Sequence, residues 1–267
     1  MNERMVAYNA ASAAGLKIVP ADLGATDWAD EKAIAAWQEA HQLRGDGWFG
    51  PRSALACRLA MCLAEAGLKV DRDKLRFSGL HSRIDPPIPW SVVWHDTVTR
   101  TAEDAHAVLS KRGLSTHFLL SEDGTIYQCA DPGSMWALHA AAFNQESIGV
   151  DVVALLDPGL LDVKKHPDDA AREARLIARK WAGSKSGKVI DYTEAQKRAI
   201  PLLAGILSEV YQIPRHCQHG TMGYGEKQRT LNDRTFHGHV GHGQWSSKRW
   251  DGNLVVELLT APRQRPW

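Results

Sequence analysis

The chain has 267 residues, with 32 Lys and Arg against 31 Asp and Glu, a formal net charge of +1. Hydrophobic residues make up 44% and charged residues 24%, the proportions of a folded globular protein, and about 150 residues per domain puts the length near two domains. The balance holds locally, 11 basic and 11 acidic side chains before residue 91 and 21 and 20 after it; so neutral a surface lacks the field that gathers phosphates, which argues against nucleic acid and anionic membranes as partners, and no apolar run approaches the ~20 residues that span a bilayer.

Glu3, Asn9 and Pro20 interrupt the first 20 residues, so no secretory signal is expected and synthesis in the cytoplasm is. Residues 1–68 read as a small all-helical domain. Ala33, Ile34, Trp37, Ala40 and His41 recur at helical spacing. The turn Arg44-Gly45-Asp46-Gly47 follows, and Pro51 suits the first position of a new helix with Leu55, Leu59 and Cys62 on one face. Cys57 and Cys62 would lie roughly 140° apart on that helix, poor geometry for a bridge. With Cys129 and Cys217 they are expected as free thiols. Residues 69–89, charged and then rich in proline (Pro86, Pro87, Pro89), read as a linker.

From residue 90 to 267 strands and helices alternate. Residues 91–95 form a buried-type strand. Thr101, with Asp104 three positions on, opens a helix that Gly113 closes. Residues 117–121 and 125–129 flank Glu122-Asp123-Gly124 as a hairpin. A strand follows at 147–155, then a helix from Thr193 to about Tyr211 containing Pro201, then a last strand at 238–242. The fold class is α/β, a mixed central β-sheet flanked by helices and preceded by the helical domain.

The histidines are unusual, 12 in all, with five between residues 216 and 242. His95 ends one strand, His242 ends another, and Asp251 follows nine residues later in a loop. Two imidazoles and a carboxylate make a three-ligand zinc set with a fourth position open to water. The same side chains also fit ordinary, partly buried histidines, and spacing does not decide between them. His216, Cys217 and His219 pose the same choice.

Several short blocks occur in order: Val92-Val93-Trp94-His95; Thr116-His117-Phe118 with Glu122-Asp123-Gly124-Thr125-Ile126-Tyr127-Gln128; Trp136-Ala137-Leu138-His139-Ala140; Asn144 with Ser147-Ile148-Gly149-Val150-Asp151; Val240-Gly241-His242 with Trp250-Asp251-Gly252. Together they resemble the zinc-dependent type 2 N-acetylmuramoyl-L-alanine amidases, the superfamily of peptidoglycan recognition proteins and phage amidases, over residues 90–255. The resemblance implies that His95, His242 and Asp251 hold Zn2+. It places Asp151 where one branch has a catalytic Glu, and Thr116 where another has a Tyr. Arg249, with Lys248 beside it, falls where the family has an oxyanion donor, and His139, Asn144 and Thr116 fall at the substrate groove. Gly252 follows the third ligand directly, where the family usually has Pro-Gly. A second resemblance, over residues 30–60, is to the small helical peptidoglycan-binding domain, and implies that Trp37, Asp46 and Trp48 contact the cell wall.

The implied activity is hydrolysis of the amide joining N-acetylmuramic acid to L-alanine of the stem peptide, in a phage endolysin or other bacteriolytic enzyme acting on the wall. The partner is then peptidoglycan. The alternatives are a recognition protein that binds without cutting, an interbacterial amidase toxin, and a scaffold with structural zinc.

Overall fold

In a computed structural model, the structure describes residues 3–78, 80–82, 89–178, 187–217, 236–245 and 251–261. The described helices are α1 (Glu3–Ala13), α2 (Glu31–Ala40), α3 (Pro51–Glu65), α4 (Ala102–Lys111), α5 (Asp169–Glu173), α6 (Glu194–Tyr211), α7 (His242–Trp245) and α8 (Asn253–Thr260). The strands are β1 (Val70–Asp71), β2 (His81–Ser82), β3 (Ser91–Asp96), β4 (Phe118–Leu120), β5 (Ile126–Gln128), β6 (Met135–Trp136), β7 (Ser147–Val152), β8 (Leu176–Ala178), β9 (Lys188–Ile190) and β10 (Gly238–Gly241).

Six strands form one mixed sheet in the order β1-β5-β4-β7-β3-β10. All its pairs are parallel except the β4–β5 hairpin. Strands β3 and β7 are buried along their whole length, as expected where helices cover both faces of a parallel sheet. The helices start where the sequence places caps. The Thr101 hydroxyl accepts from the Asp104 amide, and Thr193 and Gln196 form a reciprocal capping box at α6. Helix α6 runs through Pro201 and buries its apolar side against the sheet.

The helical segment is less separate than its sequence suggests. Leu59 and Leu63 of α3 belong to the same buried cluster as Trp94, Ile148, Leu203 and Leu207. A second, smaller cluster around Ile34, Phe49 and Cys57 holds α2 and α3 together. Residues 69–89, expected as a linker, contribute β1 to the edge of the central sheet, and Leu75 and Phe77 pack with Leu119 and Val153. A two-residue strand in a charged stretch has too little periodicity to be read from sequence. All four cysteines are free. Among the described residues no helix is long and apolar enough to cross a membrane.

Next to the sheet's β10 edge, His239 is fully buried. Its Nδ1 accepts from the Trp94 indole at 3.2 Å and its Nε2 meets Ser208 Oγ at 2.8 Å. An indole only donates, so the ring is the neutral Nε2–H tautomer. Burial pushes its pKa down to about 3. The unfolded chain, near 6.5, therefore binds the proton first. This site's contribution to stability is complete above about pH 6.5 and is lost as pH falls towards 3, on the order of a few kcal/mol. Thermal unfolding followed from pH 7 to 4 should show a falling midpoint, and His239→Gln should flatten that slope. An equally steep slope in the variant would remove His239 as the cause.

Candidate metal centre

Parallel pairing puts the site at the carboxyl ends of three adjacent strands, where open α/β sheets bind ligands. His95 of β3 lies in register with Asp151 of β7, and Trp94 with Gly241 of β10. His242 follows Gly241 directly, so its ring stands beside that of His95, with centroids 4.6 Å apart. The third group arrives on the turn into α8. Asp251 Oδ2 lies 3.1 Å from His95 Nδ1 and 3.1 Å from His242 Nδ1. The three donor atoms all fall within 4.8 Å of one another. Two nitrogens and one oxygen, largely buried and converging, fit a divalent cation that takes mixed nitrogen and oxygen ligands.

The turn carrying Asp251 is held by two features. Gly252 has φ +82°, and a Cβ there would stand 1.9 Å from the Trp94 carbonyl oxygen. No other residue lets the loop approach β3 so closely. Asp96 then anchors it, accepting from the Gly252 amide at 2.7 Å and the Tyr192 hydroxyl at 2.5 Å. Burial pushes the Asp96 carboxyl up to about 7 even though both bonds favour its charged form.

The electrostatics follow from burial and neighbours. Burial opposes charge on Asp251, but hydrogen bonds from His242 and His95 outweigh it and hold its carboxyl well below the usual range. Burial opposes protonation of His95, yet Asp151 and Asp251 raise its pKa overall. Burial raises Asp151, and His95 and the Thr116 hydroxyl offset this only partly.

Behind His95 runs a chain of hydrogen bonds. His95 Nε2 meets His139 Nδ1 at 3.1 Å, and His139 Nε2 meets Ser147 Oγ at 3.3 Å. Ser147 Oγ donates to the Phe143 carbonyl at 2.6 Å. Such partners fix the tautomer and plane of a ligating imidazole, leaving Nδ1 free to ligate.

A cleft of about 280 Å³ opens over these groups, lined by His95, Asp151, His242, Asp251, His139 and Arg112 among others. Arg112, at the end of α4, stands in no motif. Its only signal is its place beside the helix-closing Gly113. Asp96, an acid at a strand end, likewise carries no motif. Thr116, expected at the substrate groove, is fully buried and does not line the cleft; it backs Asp151 instead. Asn144 is buried with its Oδ1 accepting from the His139 and Ala140 amides at 2.9 and 2.6 Å, so it shapes the turn that presents His139. Lys248, Arg249 and His219 lie outside the described residues.

In the helical segment, Trp37 is partly buried and stacks on His41 at 4.1 Å between ring centroids while packing towards Phe49, at the edge of the smaller core cluster. Asp46 is exposed and holds its turn, accepting from the Trp48 amide at 2.9 Å. Trp48 is itself exposed.

The model of the Amidase_2 family, N-acetylmuramoyl-L-alanine amidase, matches residues 85–252. The chain belongs to this family. The match takes in all three donors and Asp151, and ends at the Gly252 that lets the loop close. Solved structures similar to this family member include the endolysin LysCS from Clostridium intestinale URNW (15% identity, 67% of this chain and 82% of that one, TM-score 0.37). Others are the Ph2119 endolysin from the Thermus scotoductus MAT2119 bacteriophage (16%, 68% and 90%, 0.37) and AmiD from E. coli, solved with an anhydro-N-acetylmuramic acid peptide (20%, 51% and 49%, 0.34). No curated protein matches the sequence.

Gly149 tests the support behind His95. A Cβ there would stand 2.7 Å from His139 Cγ, too close for the ring to keep its place. Gly149→Ala should cost about 1–3 kcal/mol in urea unfolding and weaken metal binding by displacing His139. Unchanged stability and affinity would show that the ring is not tightly held.

Proposed function

We propose that this family member is a zinc-dependent peptidoglycan hydrolase. It cleaves the amide between the lactyl group of N-acetylmuramic acid and L-alanine of the stem peptide, and serves as a bacteriolytic enzyme of the endolysin kind. The observation that carries this reading is the meeting of His95, His242 and Asp251 within 4.8 Å, with Asp151 in register beside His95 in the same cleft.

The donor set suits zinc, and three protein ligands leave the open position of a catalytic site rather than the closed four-ligand shell of a structural one. When bound there, zinc supplies Lewis acidity, lowering the pKa of water to about 7 and polarising a carbonyl. The remaining work falls to the chain. Asp151 accepts the proton of the attacking water on its carboxylate and returns it to the nitrogen of the leaving L-alanine amine. Burial raises its pKa from the ordinary carboxylate value, which strengthens it as a proton acceptor. His139 holds the His95 ring in place. Arg249, or Lys248, is assigned by resemblance to stabilise charge developing on the carbonyl oxygen.

The full set of three ligands favours a cutting enzyme over a recognition protein that only binds. Muropeptide release from purified sacculi, with zinc quantified in the same samples, tests the assignment. His95→Ala should lose the metal and at least about a thousandfold in rate. Asp151→Asn should keep the metal and lose about 10²–10⁴-fold in kcat. Wild-type release by His95→Ala would overturn the zinc mechanism, and wild-type kcat in Asp151→Asn would overturn the proton role.

A further inference from the structure

Among the described residues a further concavity lies between the helical segment and the sheet domain. It is a groove of about 930 Å³. Its helical wall includes Tyr8, Gln42 and Trp48, and its other wall is Ser82, Ser134 and Met135 from the catalytic part of the chain. The two walls are joined firmly. Gln42 Nε2 donates to the carbonyls of Gln128, at the end of β5, and Arg72, at 2.6 and 3.2 Å, and α3 shares the main core with α6. The groove is therefore a fixed feature rather than a gap between tethered domains.

Its chemistry is that of a sugar site. A pyranose ring presents C–H groups on its faces and hydroxyls and acetamido groups around its rim, so it fits an aromatic platform flanked by polar groups that lack partners. Trp48 is 39% exposed and Tyr8 42%, their rings meeting edge to face at 5.5 Å. On the floor, Ser134 is 7% exposed and its Oγ has no hydrogen-bond partner among the described residues. Its backbone is held by a bond from its own amide to Asp131 Oδ2 at 2.8 Å. Gln42 Oε1 is likewise buried and unpartnered. Leaving such groups unpaired is unfavourable. A ligand supplying one donor and one acceptor removes that cost.

The groove also lies close to the metal cleft. Met135 lines the groove and Leu138 lines the cleft. Three residues of chain span at most about 10 Å, the length of a disaccharide.

We propose that this groove binds the glycan strand of peptidoglycan, so that helical segment and catalytic domain together form one extended substrate site. The proposal rests on the peptidoglycan reading for its ligand and goes beyond it by making Ser134 and Met135 part of wall binding. It replaces a module-only contact through Trp37, Asp46 and Trp48 with a composite one in which Trp37 has no part.

The test is equilibrium binding of the full chain to purified glycan strands stripped of stem peptides, with free stem peptide as a comparison ligand. Such strands contain no scissile amide, so the result is independent of whether the chain is an amidase; activity on an intact muramoyl tripeptide tests that separately. Trp48→Ala and Ser134→Leu, which fills the floor from the catalytic side, should each weaken strand binding at least tenfold. Ser134→Ala, the gentler change, should weaken it a few-fold, with thermal melts confirming that all three variants fold. If the wild type does not bind stripped strands, or binds only stem peptide, the groove is not a glycan site. If Trp48→Ala weakens binding while both Ser134 variants bind like the wild type, the sugar sits on the helical segment alone and the composite site is wrong.

Discussion

Two imidazole nitrogens, one from His95 on β3 and one from His242 at the start of α7, meet on one oxygen of Asp251, and this contact organises everything around it. A carboxylate so deeply buried is costly unless it is paired or ligates a metal. Here two histidines supply the pairing, and the same three atoms are placed to share a cation. The sheet makes the meeting possible. Parallel pairing aligns the ends of β3, β7 and β10, so residues far apart in the chain become neighbours at one rim.

Around this centre the supporting groups act on position. Asp96 ties the Asp251 turn to β3 through the Gly252 amide and is itself held by Tyr192. His139, Ser147 and the Phe143 carbonyl form a line behind His95. Asn144 fixes the turn that presents His139. Asp151, the proposed proton carrier, is kept apart from these tasks: it faces the cleft next to His95 and its burial raises its proton affinity. Anchors, orienters and the proposed proton carrier are thus different residues on the same few elements, and the supporting groups hold the site in place.

Much of this could be read from the residues. The Val-rich strand before His95, the Thr101 and Thr193 caps and the Glu122-Asp123-Gly124 hairpin follow local rules that the fold obeys. That His95, His242 and Asp251 converge was legible through an ordered set of short motifs, although spacing alone did not show it. What stayed hidden depends on contacts between distant segments. Strand β1 is two residues long and exists only because β5 pairs with it. Thr116 and Asn144 sit at motif positions, but Thr116 is fully buried and Asn144 turns its side chain to the His139 and Ala140 amides. Trp37 recurs at helical spacing, and its stacking on His41 was not visible in that pattern. The approach of Gly252 to the Trp94 carbonyl is likewise a tertiary fact, although it explains why glycine directly follows the third donor.

The central claim is that three protein atoms, and only three, hold one zinc ion with a position left for substrate or water. X-ray absorption spectroscopy of the zinc-loaded full chain at the zinc edge measures this most directly. The account predicts a four-coordinate ion with two imidazole nitrogens, one carboxylate oxygen and one further light ligand, all near 2.0–2.2 Å, and loss of one imidazole signal in His242→Ala. A sulfur scatterer near 2.3 Å, a third imidazole, or a spectrum unchanged by that substitution would contradict it.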